Sequence, residues 1–433
     1  MRVAALRLPS RSRLLDLCLA VHTVVFLGLF VTDAVLSLRP YVPLFAKPVE
    51  LFAVMLLPIV LRVHVPDFRY HRLAFSLAMW RDNGHVLVPF AVLIVLAFMT
   101  GILPGANLGY GEGKALFILI YRFLMLAGGL TAAILLLRIG WRPVILLLLL
   151  FLLGSVFYDI AWPGTLSQMA SRAGGFQQNP NLAAIAIIML TAMAVRYDRM
   201  YPLDLAVILL SFIATFSTLS RGGLLQFAVF LANYVWLTGR GRRGEQLVVA
   251  PVVAALMIGI GALSISTMTT SSTMFDDENA QRRLATFSLG NETVYETDDV
   301  RLGLIPKYLK LIDESIIFGQ GTGFSRSQPF GPHNTYLEVW VNNGFLALAA
   351  YLWLLGALLY MAWARRFWQG FVFAQIALVA GFFTHNVIQL PVFLLSAGLA
   401  LGLSWGLAVE RTLRHRRRAV AAESRAAPPA APS

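Results

Sequence analysis

"PVILLLLLFLLGSVFYDIA", residues 143–161, decides the fold. A run of roughly twenty apolar residues, wound as a helix, matches the hydrocarbon thickness of a bilayer. A helix also satisfies its own backbone where no water can reach it. Arg138 and Arg142 stand just ahead of the run, as basic residues do at the cytoplasmic end of a span. The pattern repeats outward on both sides, at roughly 14–37, 42–62, 86–104, 115–137, 181–197, 203–219, 222–239, 246–267, 344–364, 370–388 and 391–409. The expected fold is therefore all-α, a polytopic transmembrane helix bundle of about 12 spans.

Composition agrees. The 433 residues are 58% hydrophobic and 13% charged, where a soluble domain carries about a quarter charged residues. The net charge of +13 is no nucleic-acid footprint, because the arginines fall in short clusters between apolar runs. Arg11/Arg13, Arg69/Arg72/Arg81, Arg138/Arg142, Arg196/Arg199, Arg240/Arg242/Arg243, Arg365/Arg366 and "RHRRR" at 414–418 mark every second loop, which places both termini in the cytoplasm. The sole cysteine, Cys18, leaves no intramolecular disulfide to form. The first apolar run is long enough to span and lacks a small-residue cleavage site, so a retained helix is expected rather than a signal peptide. The expected plan is nine spans over 1–267, a periplasmic loop over 268–343, three spans over 344–410, and a basic, disordered cytoplasmic tail over 411–433, ending in the Ala- and Pro-rich "ESRAAPPAAPS".

The same bookkeeping gathers three features on the opposite, exoplasmic face: "SRAGGFQQNPN" (171–181), "LSRGG" (219–223) and the long loop to residue 343. Loops of that length are functional or disordered. Within it, "RLGLIPKYLKLIDESIIF" (301–318) repeats apolar residues at Ile305, Leu309, Ile312 and Ile316, with Lys307 and Lys310 elsewhere. That spacing predicts an amphipathic helix at the membrane surface, a lid over a cavity.

Several side chains there admit a chemical and a structural reading. Arg221 marks the turn between two spans; it either snorkels to head groups or clamps phosphate with its planar fork, with Gly222 and Gly223 admitting the ligand to the backbone. Arg301, at the start of the amphipathic segment, admits the same pair. His333 is a general base or a hydrogen-bonded structural residue, and Asn334 orients a hydroxyl or caps a helix. His385 and Asn386 repeat that pair, lining a cavity or packing between helices. Arg122 lies inside a span, which makes it a functional candidate. No second histidine or cysteine stands at ligand spacing to His333, so no metal is expected. "GQGTGF" (319–324) lacks the Lys-Ser/Thr of a phosphate loop and reads as a flexible turn. Asp276/Asp277 and Asp298/Asp299 read as solvated loop acids.

Together, "RAGGFQQNPNLAA" (172–184), "SRGG" (220–223), Arg301 with the segment ending "IIFGQGTGF", and "HNTYLEVWVNNG" (333–344) resemble the O-antigen ligase and polymerase superfamily of bacterial envelope glycosyltransferases, most closely the lipopolysaccharide O-antigen ligases. The likeness covers roughly residues 170–400 by motif, and the sequence departs from the ligase signature at Ala347. The resemblance implies a donor glycan on undecaprenyl pyrophosphate, a lipid A-core acceptor, an active site at the periplasmic face of the inner membrane, and no cofactor. It implies catalytic roles for His333, Arg221 and Arg301, and substrate contacts from Asn334, Arg172, Asn181, Arg122 and His385. Two alternatives stay open: a polymerase that uses a lipid-linked repeat unit as acceptor, and, in another class, a lipid or glycan transporter, which should show two related halves.

Overall fold

The structure, a computed structural model, describes residues 13–64, 77–103, 106, 112–167, 172–239, 295–384, 387 and 390–426. It is all-helical, without strands among the described residues. In chain order the main helices are α1 (Arg13–Val31), α2 (Ala34–Leu38), α3 (Pro48–His64), α4 (Gly84–Thr100), α5 (Glu112–Ile139), α6 (Trp141–Ala161), α7 (Pro180–Ala194), α8 (Pro202–Ser217), α9 (Arg221–Thr238), α10 (Tyr295–Asp313), α11 (Thr335–Ala364), α12 (Trp368–Phe383) and α13 (Pro391–Ala426). Four are long and apolar enough to cross a membrane: those containing Ile120–Leu137, Trp141–Ala161, Thr335–Ala364 and Pro391–His415. Shorter apolar helices accompany them. The run expected at 246–267 and the paired acids at 276/277 lie outside the described residues.

Three expectations change in detail. The first run breaks at Asp33, whose φ of 62° separates α1 from α2. The run expected from residue 344 belongs to a helix that starts at Thr335. The basic tail is helical as far as Ala426 rather than disordered from 411. Ala, Arg and Glu favour helix there, and an i,i+4 ion pair joins Glu410 to Arg414.

α7 is the hub. Every residue from Ala183 to Ala194 is buried, as befits a helix that is apolar all round, and α6, α8, α9, α12 and α13 surround it. The most extensive helix pair is α5 with α13, and small residues make it possible. A Cβ added at Gly129 would stand 2.2 Å from the Leu395 carbonyl oxygen, and one at Gly398 would stand 2.1 Å from that of Leu126. A Cβ at Gly402 would stand 2.5 Å from Ala133 Cβ and 2.6 Å from the Leu130 carbonyl oxygen. "GLALG" (398–402) thus works as a small-xxx-small seam that lets two backbones touch.

The two ends of the bundle differ in chemistry. At one end Arg142 and Arg196 both pair with buried Asp204. Arg365 donates to Asn83 Oδ1 (2.7 Å) and to the Asp82 carbonyl (2.9 Å), while Trp405 Nε1 donates to Asp82 (3.1 Å). The start of α7, the α8–α9 turn and the start of α11 meet at the other end.

Candidate functional site

The α8–α9 turn is built from its sequence outward. Leu219 adopts φ 49°, a left-handed conformation costly for a branched side chain. Ser220 then caps α9, its Oγ accepting from Gly223 N at 3.1 Å, and Arg221 becomes the first helical residue. Behind the turn sits Arg172, buried, with Nε donating to the Thr218 carbonyl (2.8 Å) and a terminal nitrogen donating to Asn181 Oδ1 (2.8 Å) and the Leu219 carbonyl (3.4 Å). Arg172 and Asn181 therefore clasp each other and the strained turn that presents Arg221.

Gly222 and Gly223 allow close packing. A Cβ at Gly222 would lie 2.9 Å from Phe383 Cβ, and one at Gly223 would lie 2.6 Å from Ala184 Cβ. They bring α9 flush against the end of α12 and the start of α7. From Phe383 the chain continues to Thr384, whose carbonyl accepts from Thr335 Oγ1 at 2.6 Å. Through that link the start of α9 and the start of α11 share one end of the bundle.

At the start of α11, Asn334 is the N-cap: its Oδ1 accepts from Tyr336 N (2.9 Å) and Leu337 N (3.1 Å), satisfying two helix donors. His333, half-buried, precedes it with φ 48°. A non-glycine residue held there carries strain of about 1–3 kcal/mol, a condition that clusters at functional sites. One turn below Asn334 lies Glu338, which is 3% exposed and accepts from Ser325 Oγ at 3.3 Å. The charges of Arg326 and Glu338 both act on Arg122, so α5 contributes an arginine to this cluster. Glu338 also acts on Tyr308 of α10: burial first, then that carboxylate, push the Tyr308 hydroxyl up to about 12. Tyr308 donates to the Phe330 carbonyl at 2.7 Å.

An amphipathic helix forms here, as the apolar spacing predicts. α10 packs on α11 through Leu304, Tyr308 and Ile312, all buried, while Ile305, Leu309 and Ile316 are exposed. The i, i+4, i+8 row that holds Tyr308 outcompetes the all-aliphatic one because the tyrosine reaches a carbonyl when buried. Arg301 lies within α10.

"GQGTGF" is pinned rather than flexible. Gln320 N donates to the Val341 carbonyl (2.8 Å), Gly321 N to that of Asn342 (3.0 Å) and Thr322 N to that of Thr100 (3.2 Å), so these donors serve α11 and α4. Asn343 Nδ2 reaches Thr100 Oγ1 and Thr322 Oγ1, each at 2.6 Å. The segment fits because α11 breaks at Gly344 (φ 81°, ψ 179°). A Cβ there would lie 1.9 Å from the Ile317 carbonyl oxygen.

Residues 206–352 match the family model for O-antigen ligase. The match supports the O-antigen ligase superfamily. Members of that family are membrane glycosyltransferase-like enzymes. No curated protein matches the chain. The matched O-antigen ligase segment runs from within α8 to within α11 and contains Arg221, Arg301, His333, Asn334 and Gly344, while Arg122, Arg172, Asn181 and His385 lie outside it. His385 and Asn386 also lie outside the described residues.

Sequence reasoning missed three residues at this end. Glu338 and Arg326 carry no spacing or motif signal that sets them apart in the sequence. Asp159, fully buried in α6, accepts from Leu166 N (3.1 Å), Ser167 N (3.2 Å), Gly174 N (2.9 Å) and Gly175 N (3.2 Å), and so shapes the 172–178 loop. Its signal was legible: an acid inside an apolar run is functional by default. Among the described residues no group of three His, Cys, Asp or Glu side chains is placed to hold a metal ion.

Proposed function

We propose that the protein is an O-antigen ligase of the inner membrane, which transfers a glycan from undecaprenyl pyrophosphate to a hydroxyl of lipid A-core at the periplasmic face. The observation that carries this reading is the meeting of Arg221 and the His333–Asn334 helix start at one end of the bundle, within the segment that matches the family.

In this reading His333 is the general base. It takes the proton of the acceptor hydroxyl as that oxygen attacks the anomeric carbon from the side opposite pyrophosphate, so configuration inverts. The anomeric C–O bond to pyrophosphate breaks with its electron pair, and Arg221 and Arg301 stabilise the charge that develops there. Neither ATP nor a metal ion enters the step, and full transfer after exhaustive chelation is expected. Asn334 holds the helix start beneath the histidine, Arg172 and Asn181 fix the turn that presents Arg221, and Arg122 adds positive charge to the same end. His385 lines the acceptor side. The lid helix α10 orders both substrates and limits hydrolysis.

The polymerase reading shares this chemistry and differs only in acceptor. A deletion strain complemented with wild type or His333→Ala, with lipid-linked and lipid A-linked glycans quantified separately, separates them. Long polymer stranded on undecaprenyl pyrophosphate beside bare lipid A-core is the expected result. Core bearing a single repeat would instead identify a polymerase. In a purified assay, His333→Ala should lose on the order of 100 to 10,000-fold in rate while binding donor normally; near-normal transfer would remove the general-base role.

A further inference from the structure

Away from the clustered arginines, the 172–178 loop roofs a second feature. A cavity of about 640 Å³ lies between α2, α6 and that loop, lined by Leu38, Tyr41, Leu150, Phe151, Gly154 and Phe176 among others. Its size is that of a small-ligand site. Its walls are built, not incidental: Phe176 N donates to Ser155 Oγ (3.1 Å), the Phe176 carbonyl accepts from Ser37 Oγ, and the Phe151 and Phe176 rings meet at 4.8 Å. The lining is mostly apolar.

Two observations name the occupant. Leu38 and Tyr41 are the ends of one turn, closed by Tyr41 N donating to the Leu38 carbonyl at 3.0 Å, and the exposed Arg39 sits at its tip. An exposed guanidinium on the turn whose two ends line an apolar cavity complements an alkyl chain that ends in a phosphate. Exposed Tyr41, Tyr158 and Trp162 lie at the same end, the last two with rings 4.7 Å apart. Such aromatics sit at the head-group level of a bilayer. We propose that this cavity is a site for one anionic phospholipid, with an acyl chain against Phe151 and Phe176 and the phosphate on Arg39. The inference goes beyond glycosyl transfer: it assigns a bound membrane lipid that braces the loop holding Arg172.

Gly154 supplies the test, since it lines the cavity and a Cβ built on it meets nothing within 4 Å, so a larger side chain starts into open space there. Full-length protein would be delipidated, reloaded with phosphatidylglycerol or phosphatidylethanolamine, and weighed by native mass spectrometry. Wild type is expected to retain one phosphatidylglycerol in preference to phosphatidylethanolamine. Gly154→Phe should lower that retention at least tenfold, Leu150→Trp should do the same from one turn earlier on the same face of α6, and Arg39→Ala should abolish the preference between head groups. Unchanged retention in both filled variants would overturn the proposal. So would equal binding of the two lipids by wild type, or a loss confined to a polyprenyl phosphate probe.

Discussion

Buried charge sets the terms at the scale of single residues. Glu338 is buried, its charge and that of Arg326 both act on Arg122, and it holds Ser325, in surroundings where removing one charge leaves the others uncompensated. Breaking such a buried pairing costs about 3–5 kcal/mol. Glu338→Gln is therefore expected to lower stability by roughly that amount in detergent denaturation, and adding Arg122→Met to that background should recover part of the loss. A strictly additive double-mutant cycle would show that the two side chains do not interact. Arg221 belongs to a different test. Arg221→Ala should weaken binding of a pyrophosphate-linked donor, with Arg221→Lys intermediate because the ammonium keeps charge but not the planar fork; equal donor affinity in all three proteins would refute the clamp.

Helices behaved as their sequences required, and the departures have local causes. Apolar periodicity predicted α5, α6, α8 and α9 to within a few residues, because a lone span needs little beyond length and hydropathy. It failed at the start of α11, where Asn334 caps a helix nine residues ahead of the apolar run, since polar residues such as Asn342 and Asn343 face the docked 319–325 segment. It did not identify the Leu304–Tyr308–Ile312 row by which α10 packs on α11, because periodicity alone cannot tell Tyr308 with a carbonyl partner from Tyr308 in solvent. The Tyr308 hydroxyl, raised to about 12, favours the docked state in its protonated form. Its contribution is complete below the ordinary tyrosine value near 10 and is lost as pH rises through about 12. Gly344 is the most sensitive position at this scale. Gly344→Ala must move a Cβ away from a carbonyl oxygen 1.9 Å distant and at positive φ, so a marked fall in melting temperature is expected, with release of the 316–325 segment to limited proteolysis.

The whole molecule is an assembly of helices whose seams are set by small residues as much as by large ones. The all-helical class was readable in the chain, because hydropathy marks the helices, and three of the singled-out stretches, 172–181, 219–223 and 333–334, meet at one end of the described bundle. The identity of neighbours was not: that α5 lies on α13 follows from Gly129, Gly398 and Gly402 meeting backbone to backbone, a relation no single run reveals. Gly398→Leu should force that seam apart, lowering stability and transfer together, whereas Gly84→Ala, whose Cβ meets nothing within 4 Å, should leave both unchanged.

The break at Gly344 makes the stretch from His333 a ruler as well as a support. Residues 335–343 form two and a half turns of helix fixed at one end by the docked glycine segment and bearing the histidine at the other, so their number sets its angular phase. One residue added there would swing His333 by about 100° around the axis without disturbing the apolar run beyond. In this protein the distance in sequence from histidine to glycine is a compass setting, and the membrane-spanning part of α11 is the mount on which it is fixed.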